Sequence, residues 1–435
     1  MGGAVSGGVL GNNRGSAHPR PERILRPTNP ALQAAERVAR ESYGRLLALL
    51  AARTRDIPGA EDALGEALAA ALQQWPEQGV PANPEAWLVA VARRRQVDAV
   101  RRRVTAEAGE EHLAMIASEL ENGATGAGTA FPDRRLALML ACTDAGIEPA
   151  MRTPLMLQVL LGLTAGEIGA AYLVSPATMA QRLVRAKARI GELGLKFEEP
   201  EPDSLADRLP ALLDAIYAAF TSDWVGRDSR KRAEEAIWLA QCVVARVPSD
   251  PEARGLLALL LYLSARMNAQ RDPEGRYVPL AEQDVSRWDH RAIDAAEALL
   301  HAANQDGPSG RYQIEAAIQS VHCARRSSGK TDWAAIGSLY DLLFALLPSP
   351  VVQLNRALAR SQTEGAAEVL AEIVQLGQDR RMASYQPYWA GLARLAADAG
   401  DRKTALEAYG VAMGLTADPA VRAYLTARRR LLLDG

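Results

Sequence analysis

Several things are scarce in this chain, and each scarcity removes a class of protein. There are three cysteines in 435 residues. Cys142, Cys242 and Cys323 are too scattered to staple a fold, and no Cys or His spacing has the pattern of a zinc site. His322 and Cys323 are neighbours but have no third partner in sequence, so they read as ordinary helix residues. Aromatics make up only 5% of the chain, and strictly alternating runs of Val, Ile and Thr are missing. With Ala, Leu and Arg dominant, this excludes a sheet protein and predicts an all-α fold. No apolar run is long enough to span a bilayer, and the N-terminus has no charged-then-apolar leader pattern. The expectation is a cytoplasmic protein with no membrane contact. A Gly-rich phosphate loop, a nucleophile elbow and metal-ligand spacing are all absent, so neither an enzyme nor a cofactor is expected.

Charge is nearly balanced, with a formal net of −2, so overall charge does not point to nucleic acid. The charge is concentrated in patches, and patches matter more than the sum. At this length two to four domains are expected. The reading divides the chain into a disordered Gly-, Asn- and Pro-rich tail (1–30), a helical unit (31–103), an acidic flexible linker (104–130), a second helical unit (131–196), a Pro- and acid-rich linker (197–208) and a long helical extension (209–435).

The second unit carries the sharpest motif. Thr164 and Glu167 have capping-box spacing and open a short helix with Ile168, Ala171 and Tyr172 on its apolar side. Ser175-Pro176 restarts a helix as N-cap and first-turn proline. Met179, Leu183, Ala186 and Ile190 then fall on one side. Thr178, Gln181, Arg182, Arg185, Lys187 and Arg189 are left outside, with no acid among them. Two short helices at a tight turn, the second basic, form a helix-turn-helix whose second helix suits the major groove. Ser175, Thr178, Gln181, Arg182, Arg185 and Lys187 are the candidate DNA contacts. Ala177 and Ala180 are short enough to meet a thymine methyl.

The first unit is read as a helix over Pro30 to Arg55, with Leu32, Ala35, Val38, Leu46, Leu49 and Leu50 as its apolar positions. A second helix follows from Asp56, with Asp56, Glu61, Asp62 and Glu66 on an acidic face near its positive end. Pro84 opens a third. Trp87, Leu88, Ala90, Val91, Val97 and Val100 are its expected buried side. Arg93, Arg94, Arg95, Arg101, Arg102 and Arg103 lie opposite, countered only by Glu85 and Asp98, which is an electrostatic footprint for phosphate.

The run Pro58-Gly59-Ala60-Glu61-Asp62-Ala63-Leu64-Gly65-Glu66-Ala67-Leu68, followed by Trp87 through Arg103, resembles region 2 of bacterial sigma factors of the extracytoplasmic-function class. Phe131 to Lys196 resembles sigma region 4. The resemblance implies that Asp56, Glu61, Asp62 and Glu66 dock on the beta-prime clamp helices of core RNA polymerase. It also implies that the arginine helix melts and reads the minus-ten element, and that region 4 meets the beta flap and reads the minus-35 element of promoter DNA. Three positions depart from the pattern: Gly65 where Gln is usual, Leu68 where an aromatic is common, and Arg95 where Asn is frequent.

From Leu209 to Leu433 one helical pattern follows another. Tyr388 to Asp401, then Lys403 to Met413, then Asp418-Pro419 have small residues at a helix crossing, Gly-Asp at the turn and Pro at the exit, the pattern of a tetratricopeptide-like solenoid. Val352 to Ala371 is a weaker copy. Segments around Gly255, Leu280, Gly310 and Trp333 resemble the sigma-factor subgroup with a tetratricopeptide-like extension. Ile216 to Trp224 stands where that subgroup usually has an Asn-Glu-Gly-Tyr-like motif. The implied function is a sigma factor regulated by its own extension, with an unidentified protein or ligand on the solenoid. The competing reading is a helix-turn-helix regulator with a solenoid sensor that never acts as a sigma subunit.

Overall fold

A computed structural model describes residues 29–107, 133–172, 174–195, 197, 205–221, 229–305, 307 and 309–434, with side chains for all of these except 100–107, 170–171 and 229. Residues 1–28 of the tail, residues 108–130 of the acidic linker, most of the Pro- and acid-rich stretch and Ser222 to Trp224 lie outside the described residues, and the helix expected to end at Arg103 runs on through the first linker residues to Glu107. Among the described residues there is no strand beyond a lone antiparallel bridge between Arg271 and Tyr277, so the fold is all-α as composition predicts. No helix among them is long and apolar enough to cross a membrane. No disulfide joins Cys142, Cys242 or Cys323, and no group of three or more potential metal ligands occurs among the described residues.

The first unit comprises α1 (Pro30–Glu41), α2 (Tyr43–Thr54), α3 (Ile57–Gln78) and α4 (Pro84–Glu107). The single helix expected over Pro30 to Arg55 is therefore two. Ser42 breaks it at φ −120°, ψ 0°, and its hydroxyl donates to Glu85, which Arg45 also binds. Leu32, expected inside, is 45% exposed, because the break turns the buried face of α1 onto Ala31, Ala34, Ala35 and Val38. On α4, Ala90 is exposed, and Leu88, Val89 and Ala92 fill the core instead. Trp75 of α3 meets Trp87 of α4 edge-on, with ring centroids 5.5 Å apart.

The second unit comprises α5 (Arg135–Cys142), α6 (Pro149–Leu161), α7 (Ala165–Ala171) and α8 (Pro176–Glu192). The extension begins with α9 (Leu209–Thr221), α10 (Ser229–Arg246) and α11 (Pro251–Ala265). After an irregular segment with three short 3-10 turns come α12 (His290–Ala303), α13 (Arg311–Cys323), α14 (Arg325–Ser328), α15 (Trp333–Leu346), α16 (Pro350–Glu364) and α17 (Ala366–Leu376). The chain ends with α18 (Gln386–Asp398), α19 (Arg402–Leu415) and α20 (Pro419–Asp434). The α18–α19 pair is the unit seen in sequence. Gly400 turns at φ +83°, which costs glycine nothing, and the Asp401 carboxylate accepts from the Thr404 amide at 3.1 Å as N-cap.

Three buried apolar clusters follow one another along the chain. The first runs from Ala31 to Cys323, the second joins α13, α15 and α16, and the third fills the last helices. Such overlapping local cores are what a solenoid-like stack produces, since each helix pair buries its apolar face on the next. The first cluster also joins the two N-terminal units to the extension. Leu209, Leu212, Leu213 and Ile216 of α9 are buried, and α9 packs on α6. Glu252 at the start of α11 accepts from the Tyr312 and Gln313 amides (3.0 and 3.1 Å), which ties the exposed amides at the head of α13 to α11.

His322 on α13 packs edge-on against Trp333, with ring centroids 5.5 Å apart. Burial, helped by Arg266 and Arg325, lowers its pKa to about 4. Between pH 4 and 6.5 the unfolded chain therefore binds a proton that the folded chain refuses, so stability falls as pH drops through this window. Comparing melting temperatures of wild type and His322→Gln at pH 7.5 and pH 5 tests this: the variant should lose less stability on acidification. Equal losses would remove His322 as the cause.

Candidate nucleic-acid interface

The two helices α7 and α8 and the tight turn between them form as their residues dictate. The Thr164 amide and hydroxyl both donate to Glu167 Oε2 at 2.7 Å, and the Glu167 amide returns a bond to Thr164 Oγ1 at 3.2 Å. These bonds hold the Glu167 carboxyl below its usual range. Ser175 Oγ accepts from the Thr178 amide at 3.2 Å and caps α8. A Cβ on Gly169 would sit 2.6 Å from the Val174 carbonyl oxygen, so only glycine lets α7 lie this close to the turn. Met179, Leu183, Ala186 and Ile190 are buried as their spacing requires.

On the other side of α8, Ser175, Thr178, Gln181, Arg182, Arg185 and Arg189 are exposed, as are Ala177 and Ala180. Among the described residues, only Arg189 of these cations has an acid beside it, Glu192 at 3.0 Å, and that pair is half-exposed and weak. The face is thus an open basic strip one helix wide, the size a major groove admits.

Lys187 is the exception and corrects the expectation for this face. Its side chain is 10% exposed and its ammonium lies 2.5 Å from Glu61 Oε2, whose side chain is 18% exposed. The reason is rotation along the helix. Lys187 follows Ala186 and sits one turn beyond Leu183, at the edge of the apolar stripe, where α8 packs on α3. In this arrangement a predicted DNA contact and a predicted polymerase contact neutralise each other.

The acidic face of α3 is accordingly divided. Asp56 is the helix N-cap, accepting from the Gly59 amide at 2.9 Å. Asp62 and Glu66 are exposed. Glu66 faces Arg95 across α3 and α4 at 3.2 Å, an exposed pair of little energetic weight. Arg94 is exposed, whereas Arg93 is half-buried, and burial followed by nearby Arg53 lowers its pKa. Arg101, Arg102 and Arg103 continue α4, with side chains outside the described residues. Gln96, on the inner side between the arginines, is 5% exposed.

Two groups escaped the sequence reading. Arg135 joins the second unit to the extension: it pairs with Asp133 at 2.6 Å and with Glu235 of α10, and its guanidinium stands 4.6 Å above the Trp238 ring. Burial raises the Glu235 pKa despite this partner. Beside it, Lys231 of α10 pairs with Glu41 of α1. Together these groups line a cavity of about 520 Å³. Arg208, just before α9, donates to Asp144 at 3.0 Å and to the Leu140 carbonyl at 3.2 Å, closing the C-terminal end of α5. Partners 64 to 190 residues apart leave no periodic or local signal, and only the folded chain brings them together.

Comparison with known proteins adds three findings. Residues 38–105 match Sigma-70 region 2. Residues 208–304 match a family of unknown function, DUF6596. Over 390 residues the chain is 36% identical to the uncharacterized protein R00370 of Rhizobium meliloti (strain 1021), covering 87% of this chain and 90% of that one. No solved structure matches.

Proposed function

We propose that this chain, whose residues 38–105 match Sigma-70 region 2, is a sigma factor of the extracytoplasmic-function type, held in check by its own solenoid-like extension. Members of this family serve transcription initiation and supply no bond chemistry of their own. The observation that carries the reading is the order of parts. A region 2 match over α1 to α4 is followed by a capped helix-turn-helix whose second helix presents Thr178, Gln181, Arg182 and Arg185 outward. In the proposed working state the acidic face of α3 docks on the polymerase clamp helices and the arginine side of α4 meets the minus-ten element. The α8 strip then reads the minus-35 element near the beta flap.

Regulation follows from the same contacts. With α8 folded onto α3, Glu61 is covered by Lys187, and the two DNA-reading helices are fixed in one body rather than spread along a promoter. The extension holds this body together through α9 on α6 and through Glu235 and Lys231 of α10. Polymerase, DNA or a ligand that prefers the open form shifts the population toward it.

The test is binding of the purified chain to core RNA polymerase, with promoter-dependent transcription in the same tube. Specific initiation is expected. DNA binding without polymerase binding would instead indicate a helix-turn-helix regulator. Gly65→Gln sharpens the test. Gly65 is exposed on α3 with nothing within 4 Å of a new Cβ. The change should stabilise the helix by about 0.5–1 kcal/mol and raise polymerase affinity. Unchanged affinity would exclude this position from the docking face.

A further inference from the structure

The solenoid-like extension forms a second cavity, of about 490 Å³, with no residue of α7 or α8 in its lining. Helices α15, α16, α18 and α20 form most of its wall. The remaining side is closed by the irregular segment after α11. That segment crosses to α20, where Tyr277 meets Tyr424 edge-on at 5.5 Å and Arg271 pairs with Asp418. The size falls in the range of small-molecule sites, roughly 300–1,000 Å³, and is too small for a folded partner.

The chemistry of the wall is one-sided. Its floor is dry: Ile336, Leu395 and Leu425 are each 3% exposed or less. Tyr277, Trp333, Tyr340 and Tyr424 surround the space with aromatic faces and edges. At the rim stand two guanidiniums, Arg394 and Arg428, both exposed, and no Asp or Glu is among the lining residues. His322, also in the wall, is held neutral by burial. Arg394 has only a long, exposed pairing with Asp398 at 3.5 Å, which a bound anion displaces at little cost. Arg428 lies above the Tyr424 ring, 5.9 Å from its centroid, which steadies the guanidinium at the mouth.

We propose that this cavity is an effector site for a small aromatic carboxylate. The ring enters between the aromatic walls, and the carboxylate stays at the rim on Arg394 and Arg428, where charge-assisted hydrogen bonds are strongest. Asn355 and Gln362 on the wall can bind a polar substituent. The proposal is independent of the sigma reading, because binding is measured on the purified full-length chain without polymerase or DNA.

The experiment is isothermal titration of the chain with phenylacetate, 4-phenylbutyrate and indole-3-acetate, each beside its primary amide. At least one acid is expected to bind, with its amide about tenfold weaker or worse. Arg394→Gln combined with Arg428→Gln should erase that preference while circular dichroism stays unchanged, since both side chains are exposed. Trp333→Ala should weaken acid and amide together. The proposal is overturned if no acid of the set binds at millimolar concentration, if acid and amide bind equally, or if the double arginine variant keeps the preference.

Discussion

Replacing Lys187 with Met is expected to raise the affinity of the full-length chain for core RNA polymerase by about fivefold or more. The methionine keeps the length and packing of the side chain and removes only the charge. Glu61 is then left at the α3–α8 contact with its carboxylate mostly covered and its partner gone. Losing one member of a fully buried pair costs about 3–5 kcal/mol. This pair is partly solvated, so about 1–3 kcal/mol is the appropriate scale, and each 1.4 kcal/mol is worth a factor of ten. The closed arrangement absorbs that loss by opening, which uncovers the face of α3 proposed to meet polymerase. The reciprocal swap, Lys187→Glu with Glu61→Lys, should restore the closed arrangement and its melting temperature. It should not restore polymerase binding, because a lysine then stands on the docking face. Fluorescence anisotropy with labelled polymerase and a thermal melt distinguish the three proteins. If Lys187→Met changes neither quantity, the ion pair is not a latch.

The second large effect is expected at Gly44. A Cβ placed there would lie 2.1 Å from the Leu160 carbonyl oxygen and 3.0 Å from the Leu160 Cα. Backbone cannot yield as a flexible side chain does, so α2 and α6 must separate. Alanine normally stabilises a helix interior by about 1 kcal/mol over glycine. Here overpacking, typically about 1–3 kcal/mol and at the upper end against backbone, outweighs that gain. Gly44→Ala should lower the melting temperature, whereas Gly65→Ala, with open space around it, should raise it. Because Gly44 and Lys187 hold the same two units together, the double variant should lose less than the sum of the singles. An unchanged or higher melting temperature for Gly44→Ala would mean that α2 and α6 are not packed this way in solution. Both substitutions probe opening better than removal of the extension would. A cut before α9 strips Leu209, Leu212 and Leu213 from the face of α6 and confuses release with unfolding.

Much of this architecture was legible beforehand, and the reason is local. The capping residues Thr164 and Ser175 and the first-turn Pro176 act within a few residues of themselves, so their spacing sets the helix starts wherever the chain goes. The stripe of Met179, Leu183, Ala186 and Ile190 repeats with the helix period and needs no partner to be recognised. Where the reading failed, a distant contact had won. Pro30 to Arg55 carries an unbroken apolar pattern, yet Ser42 leaves the helix to bind Glu85, 43 residues on. Ala90 has the period of a core position and faces solvent, because α4 is rotated to bury Leu88, Val89 and Ala92. A stripe fixes a face only to within about one residue, and the neighbouring helix chooses among the edges.

The sequence by itself determined the helical class, the capped helices α7 and α8, the acidic and arginine-rich faces and the α18–α19 pair. All of these are set by charge, capping and period along a single stretch. Only the tertiary structure decided what those faces do to one another. Lys187 meets Glu61 across 126 residues, Arg135 meets Glu235 across 100, and the aromatic cavity is assembled from the segment around Tyr277 and the later helices of the extension. Pairing of unlike charges is non-directional along a chain, and many acids could have met each of these bases. Which ones did was fixed by how the apolar stripes of α3, α6, α8 and α9 close over a common core.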